Sequence, residues 1–129
     1  MNTIINLTQH VATTEQVEAG VVNLSGEDLA KLKALLTFAG VSTREEREER
    51  ASHVVALATS VWQELGSPSN KVVMIGGKPS FMAPLESALL EEGFAVGYAH
   101  SDRVSVDVIQ PDGSITKTSV FKHLGFEWA

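Results

Sequence analysis

The stretch Val72-Val73-Met74-Ile75-Gly76-Gly77-Lys78-Pro79-Ser80 decides how the rest of the chain is read. The apolar run Val72 to Ile75 fits a short strand covered on both faces. Gly76 and Gly77 then allow a sharp turn and a close approach of backbone to a ligand. Ser80 is placed to cap the helix that follows, whose N-terminus offers free N–H groups and a partial positive charge. Lys78 adds a full charge beside that end. A strand–Gly-Gly-Lys–helix unit is therefore a candidate phosphate or carboxylate site, and an ordinary tight strand-to-helix turn fits the same residues. It matches neither GxGxxG nor GxxxxGKS/T, so neither nucleotide fingerprint applies.

Outward from this unit, strands alternate with helices. Thr3-Ile4-Ile5-Asn6-Leu7 reads as the first strand, with Asn6 its one strongly polar interior position, and it ends in Thr8-Gln9-His10. Thr13 and Gln16 form a capping-box pattern for a short helix that stops at Gly20. Val21 to Leu24 is a second strand, and Ser25 caps a helix over 26–38 whose Leu29, Leu32, Leu35 and Leu36 recur at the helical period. Ser42-Thr43-Arg44-Glu45 is a second capping-box pattern, opening a long helix over 43–65. Its first half, Arg44 to Arg50, mixes charges three and four residues apart and reads as a solvated face. Its second half carries a core stripe of Ala51, Val54, Val55, Ala58, Trp62 and Leu65.

Beyond the central stretch, a helix over 81–92 places Met82, Leu85, Ala88 and Leu89 inward and stops at Gly93. Phe94 to Ala99 reads as the next strand, with His100-Ser101-Asp102-Arg103 as the loop at its carboxyl end. Val104 to Ile109 and Ile115 to Phe121 alternate around Pro111-Asp112-Gly113-Ser114, which predicts a hairpin. The expected fold is α/β: a Rossmann-like, mostly parallel sheet flanked by helices, with a C-terminal antiparallel β-hairpin, built as a single domain over 1–129.

The totals narrow the function classes. The chain has 129 residues and no cysteine, which removes disulfides and thiolate metal sites and fits a cytoplasmic protein. A net charge of −6 argues against binding duplex nucleic acid, though a local basic pocket remains compatible with a small anion. No apolar run reaches the roughly 18–20 residues of a membrane helix, and no secretory signal pattern is visible. The histidines lack metal-ligand spacing, and HExxH, GxSxG and a paired-carboxylate pattern are missing, so neither a metal nor a cofactor is expected.

In parallel sheets, ligands bind beyond the carboxyl ends of the strands. Three polar segments are expected to gather there: Thr8-Gln9-His10, Gly76-Gly77-Lys78, and His100 to Arg103. Each has a plain alternative: Thr8, Gln9 and Ser101 can simply satisfy strand ends, and Arg103 can pair with Asp102 or Asp107. Lys78 and Arg103 together bring two positive charges toward one edge of an acidic protein, which suits a phosphate.

Two further runs complete the pattern. Tyr98-Ala99-His100-Ser101-Asp102-Arg103 is followed by Asp112-Gly113-Ser114 and by Ser119-Val120-Phe121-Lys122-His123-Leu124-Gly125-Phe126, while Asn6-Leu7-Thr8-Gln9-His10 precedes the Thr14-Glu15-Gln16 helix. In these motifs the chain resembles small stand-alone CRISPR-associated proteins of the CARF type, some of which are ring nucleases, and related proteins of phage and mobile elements. The long charged helix is not part of that pattern.

The resemblance implies a homodimer that binds a cyclic oligoadenylate and cleaves it without metal, by attack of a ribose 2′-OH on the adjacent phosphate. It implies Lys78 and Arg103 on phosphates, His10 in proton transfer, and backbone N–H groups of Gly76 and Gly77 on the ligand. Thr8, Gln9, Ser80 and Ser101 would complete the ligand shell. Two other readings stand beside it: a non-catalytic nucleotide-binding sponge or inhibitor, and a protein-interaction module.

Overall fold

A computed structural model describes residues 3–129, and all of their side chains except those of 101–104, 106 and 119–122. The elements run β1 (Ile4–Asn6), α1 (Thr14–Glu18), β2 (Val21–Asn23), α2 (Gly26–Leu36), α3 (Arg44–Glu64), β3 (Val72–Ile75), α4 (Pro79–Glu91), β4 (Ala95–Ile109) and β5 (Ile115–Trp128). The strands form one sheet in the order β2-β1-β3-β4-β5. β1 pairs in parallel with both β2 and β3, and β3 pairs in parallel with β4. β4 and β5 are antiparallel. The fold is therefore α/β with a mostly parallel sheet and a C-terminal antiparallel hairpin, as the alternation of apolar runs predicts.

The register explains why the core strands are apolar except at Asn6. Ile5 lies between Val22 and Val73, and Val73 between Ile5 and Val96. Ile5, Val73, Ile75 and Val96 face one way and meet Leu32 of α2, Val54, Ala58 and Val61 of α3, and Phe81, Leu85 and Leu89 of α4. That is the main core. On the other face, Ile4, Val21, Val72 and Met74 form a smaller cluster covered by Ala12 and Phe126. Both faces are thus apolar, so period-two alternation is lost and continuous runs appear instead. Among the described residues, no helix is long and apolar enough to cross a membrane.

Several boundaries differ from expectation for identifiable reasons. Helix α4 begins at Pro79, and its N-cap is Lys78 rather than Ser80. Proline at the first helical position has the right fixed φ and no N–H to leave unsatisfied, so the helix starts earlier. Thr43, not Ser42, caps α3: its hydroxyl accepts from Glu46 N at 3.1 Å, while Ser42 is taken up by Arg47 Nη1 at 3.1 Å. Ser25 does occupy the N-cap of α2, without a side-chain hydrogen bond. The capping box of α1 forms as expected.

Helix α2 ends at Leu36, two residues short of Phe38. Arg50, from the charged half of α3, donates to the carbonyls of Leu35 and Thr37 and pairs with Glu46 at 3.0 Å. A guanidinium on terminal carbonyls satisfies acceptors that the helix leaves open. The charged run is therefore not uniformly solvated: the Arg44 side chain is 86% exposed and that of Arg50 only 25%.

The largest difference lies in β4. Instead of ending at Ala99, it continues through His100–Arg103 to Ile109, paired with β5 along its length, with a bulge between His100 and Ser101. The expected third polar loop is a strand segment. β5 supplies an antiparallel partner past the last parallel pair, so the backbone stays paired although its side chains turn polar. Farther along this ribbon, Ser105, Asp107 and residues 111–118 are exposed.

Candidate functional site

With β2 on one side of β1 and β3 on the other, the direction of strand succession reverses between β1 and β3. At such a switch point the loops on either side leave toward opposite faces and open a crevice beyond the strand ends. A cavity of about 360 Å³ occupies this place. Its floor is the end of β3, Met74 and Ile75, and its rim carries Thr8, Gln9 and His10 after β1 and Gly76, Gly77 and Lys78 after β3.

The two rims are built differently. The turn after β1 is tied down by Asn6, a buried residue 3% exposed. Its Nδ2 donates to His10 O at 2.8 Å and to Asn23 Oδ1 at 2.9 Å, and its Oδ1 accepts from Thr8 N at 2.9 Å and Thr8 Oγ1 at 2.7 Å. The Thr8 hydroxyl thus already has a partner. Gln9 Nε2 reaches Thr37 Oγ1 at 3.1 Å, linking this rim to the segment after α2. The His10 imidazole is exposed and has no hydrogen-bond partner among the described residues.

The turn after β3 is set by backbone alone. Gly77 has φ +144°, a conformation that side-chain-bearing residues seldom adopt, and the nearest atom to an added Cβ would be Met82 Cε at 3.7 Å. Lys78 follows as the N-cap, so its backbone lies at the end where α4 presents free N–H groups. Its Nζ lies 4.7 Å from the centroid of the Phe38 ring, and the Arg50 guanidinium lies 4.2 Å from the same ring. Phe38 in turn meets Phe81 edge-on, with centroids 5.2 Å apart.

The walls are apolar: Leu36, Phe81, Met82 and Ala99. Tyr98, also in the wall, donates its hydroxyl to Glu86 Oε1 at 2.9 Å. Burial first, then that hydrogen bond and the Glu86 charge, push the Tyr98 phenol up to about 12.

Of the residues singled out by sequence, Thr8, Gln9, His10, Gly76, Gly77 and Lys78 come together here. Ser80 does not: as the second residue of α4 it faces a separate groove between α3 and α4, beside Arg44 and Arg47. The side chains of Ser101 and Arg103 lie outside the described residues. Arg103 is four positions beyond Ala99 along β4, about 13 Å at strand rise. Sequence reading passed over Gln16 and Tyr98. Gln16 had served only as a capping residue and Tyr98 only as a strand aromatic, and pattern alone shows neither as pocket wall.

Apolar walls, an anion-favouring turn and polar side chains on the facing rim suit a ligand with a phosphate at one end and a planar group at the other. Neither the curated proteins nor the solved structures give a significant match to this chain. A family model does match, over residues 2–127, and the chain belongs to the uncharacterized protein MJ1673 family.

Proposed function

We propose that the switch-point pocket binds one nucleotide unit of a cyclic oligoadenylate and that the protein cleaves the ring without metal. The observation that carries this reading is the Gly76-Gly77-Lys78 turn: a helix N-terminus, a positive-φ glycine and an ammonium together at a pocket of nucleotide size. The resemblance in the terminal motifs supplies the ring.

In the reaction, a ribose 2′-oxygen forms a bond to the adjacent phosphorus, and the bond from phosphorus to the 5′-oxygen breaks. The 2′-proton leaves and the 5′-oxygen takes one up, giving a 2′,3′-cyclic phosphate and a 5′-hydroxyl. The protein's tasks are to hold the attacking oxygen in line and to stabilise charge on the phosphate. Backbone N–H groups of the turn and Lys78 Nζ serve the phosphate, and His10 on the facing rim serves proton transfer. Thr8, with its hydroxyl committed to Asn6, acts by shaping the rim. A pocket of about 360 Å³ is too small for a whole ring, so the ring would be shared between two copies of the chain. Arg103, out along β4, would meet a phosphate beyond the pocket.

A second reading, binding without cleavage, draws on the titratable groups of the pocket wall. Among the described residues these are Lys78, His10 and a Tyr98 phenol held protonated. A sponge needs nothing more. Incubation with labelled cyclic tetra- and hexa-adenylate in chelator, followed by chromatography, separates the readings. Linear products ending in a cyclic phosphate support cleavage, and intact ligand co-eluting with protein supports the sponge. Intact ligand eluting apart from the protein overturns both.

A further inference from the structure

Two side chains of the described residues are polar and buried, Asn6 at 3% and Gln16 at 8% exposure. They are used differently. Both halves of the Asn6 amide are engaged, its nitrogen by two acceptors and its oxygen by two donors. Only half of the Gln16 amide is engaged: Oε1 accepts from Thr13 N at 3.0 Å, while Nε2 has no hydrogen-bond partner among the described residues. That nitrogen is not sealed off: among the described residues the sealed side-chain polar atom without a partner is His123 Nδ1, so Gln16 Nε2 keeps an open side from which a ligand can reach it. Gln16 lines the same pocket as Lys78. The nitrogen that the capping box leaves free therefore has a cavity beside it.

Gln16 sits in the β1–β2 connection and Lys78 in the β3–β4 connection, on either side of the switch point. One molecule touches both only by lying across the carboxyl edge of the sheet. The phosphate belongs at the Gly76-Gly77-Lys78 side. What reaches Gln16 must be an acceptor, because Nε2 can only donate. It must also be seated among Met74, Phe81 and Met82, which suits a planar ring. We propose that Gln16 is a specificity residue of this pocket, its Nε2 donating to an acceptor atom on a nucleobase whose phosphate rests at the Gly76-Gly77-Lys78 turn. This rests on the nucleotide reading of the pocket and adds to it the residue that recognises the base.

A capping box accepts glutamate as readily as glutamine at this position. Gln16→Glu therefore keeps the bond to Thr13 N and replaces the free donor with an acceptor. Calorimetric titration of wild type and variant with AMP and with ribose 5-phosphate reads the effect as a ratio. Wild type should bind AMP about tenfold more tightly than ribose 5-phosphate, and Gln16→Glu should bring that ratio down to about two or less at an unchanged melting temperature. A ratio that stays near tenfold in the variant overturns the proposal, even if both probes bind more weakly, because plain charge repulsion weakens both alike. Gln16→Met, neutral and similar in length, gives the same readout should the glutamate variant not fold. Wild type that binds both probes equally overturns base recognition by Gln16 and leaves a phosphate site. Wild type that binds neither overturns the nucleotide reading and this inference with it.

Discussion

The two turns that rim the pocket reach the same sheet edge by opposite means. After β1, Thr8 and the His10 carbonyl are locked by one buried amide and Gln9 is tied to Thr37, so the turn's shape is fixed and its hydrogen-bonding capacity is partly consumed inside the protein. After β3, two glycines and a lysine take their shape from backbone conformation, and the lysine ammonium is held by an aromatic ring rather than by an acid. A turn fixed by side-chain hydrogen bonds serves as scaffold. A turn fixed by backbone keeps its N–H groups and its charge for a ligand. The contrast predicts that damage to the first turn shows in stability and damage to the second in binding.

The largest effect should come from Asn6→Leu, which fits the strand but deletes every bond of the amide. Loss of these bonds, with Thr8 N left unpaired and His10 O keeping only the Thr8 hydroxyl at 3.1 Å, should cost about 3 kcal/mol in urea unfolding. A cost below about 1 kcal/mol would show that the first turn is held by something else. Next comes Gly77→Ala, which forces a side chain into the positive-φ position and should cost about 2 kcal/mol. Its neighbour Gly76 has ordinary φ, and an added Cβ would meet only Thr8 Cγ2 at 3.6 Å, so Gly76→Ala should fold normally. Equal losses at both glycines would refute the backbone account of this turn.

Lys78→Ala should change stability by less than about 1 kcal/mol, since its contact with Phe38 is a cation–π interaction. The same variant should weaken nucleotide binding at least about tenfold, measured by calorimetry. Undiminished affinity would remove Lys78 from the site.

The smallest effect concerns pH. Tyr98 is the sole tyrosine, so ultraviolet absorbance of tyrosinate reports it alone. Its folded pKa, about 12, lies above the ordinary 10.0, so the folded state holds a proton that the unfolded state releases. The associated stability is complete below pH 10.0 and is lost as pH rises toward 12. Glu86→Gln should move the absorbance step downward by removing the neighbouring charge. A wild-type step at the ordinary tyrosine value would mean that Tyr98 lies free of Glu86.

Much of the candidate site was legible because its parts are local. Glycines, a lysine and a helix start within a few residues mark an anion-favouring turn by chemistry that needs no distant partner. The same holds for the polar cluster after β1, with Asn6 visible as a polar residue inside an apolar strand. Ser80 was misplaced because Pro79 outranked it as a helix starter, a competition that the sequence displayed and pattern reading overlooked. The polarity of His100 to Arg103 suggests a strand end, whereas pairing with β5 decides where β4 ends.

By itself, then, the sequence determined the strand–helix alternation, the parallel core and the two turns, since each follows from periodicity and backbone preference within a short window. Tertiary structure decided the rest. The order β2-β1-β3 brought the two turns together at a switch point, and Arg50 reached across from α3 to end α2. The fold set the half-used amide of Gln16 and the ring of Tyr98 into the wall of the same pocket as Lys78. Those facts depend on which distant groups meet once the sheet has formed, and burial on both faces erases the pattern from which side-chain direction could be read.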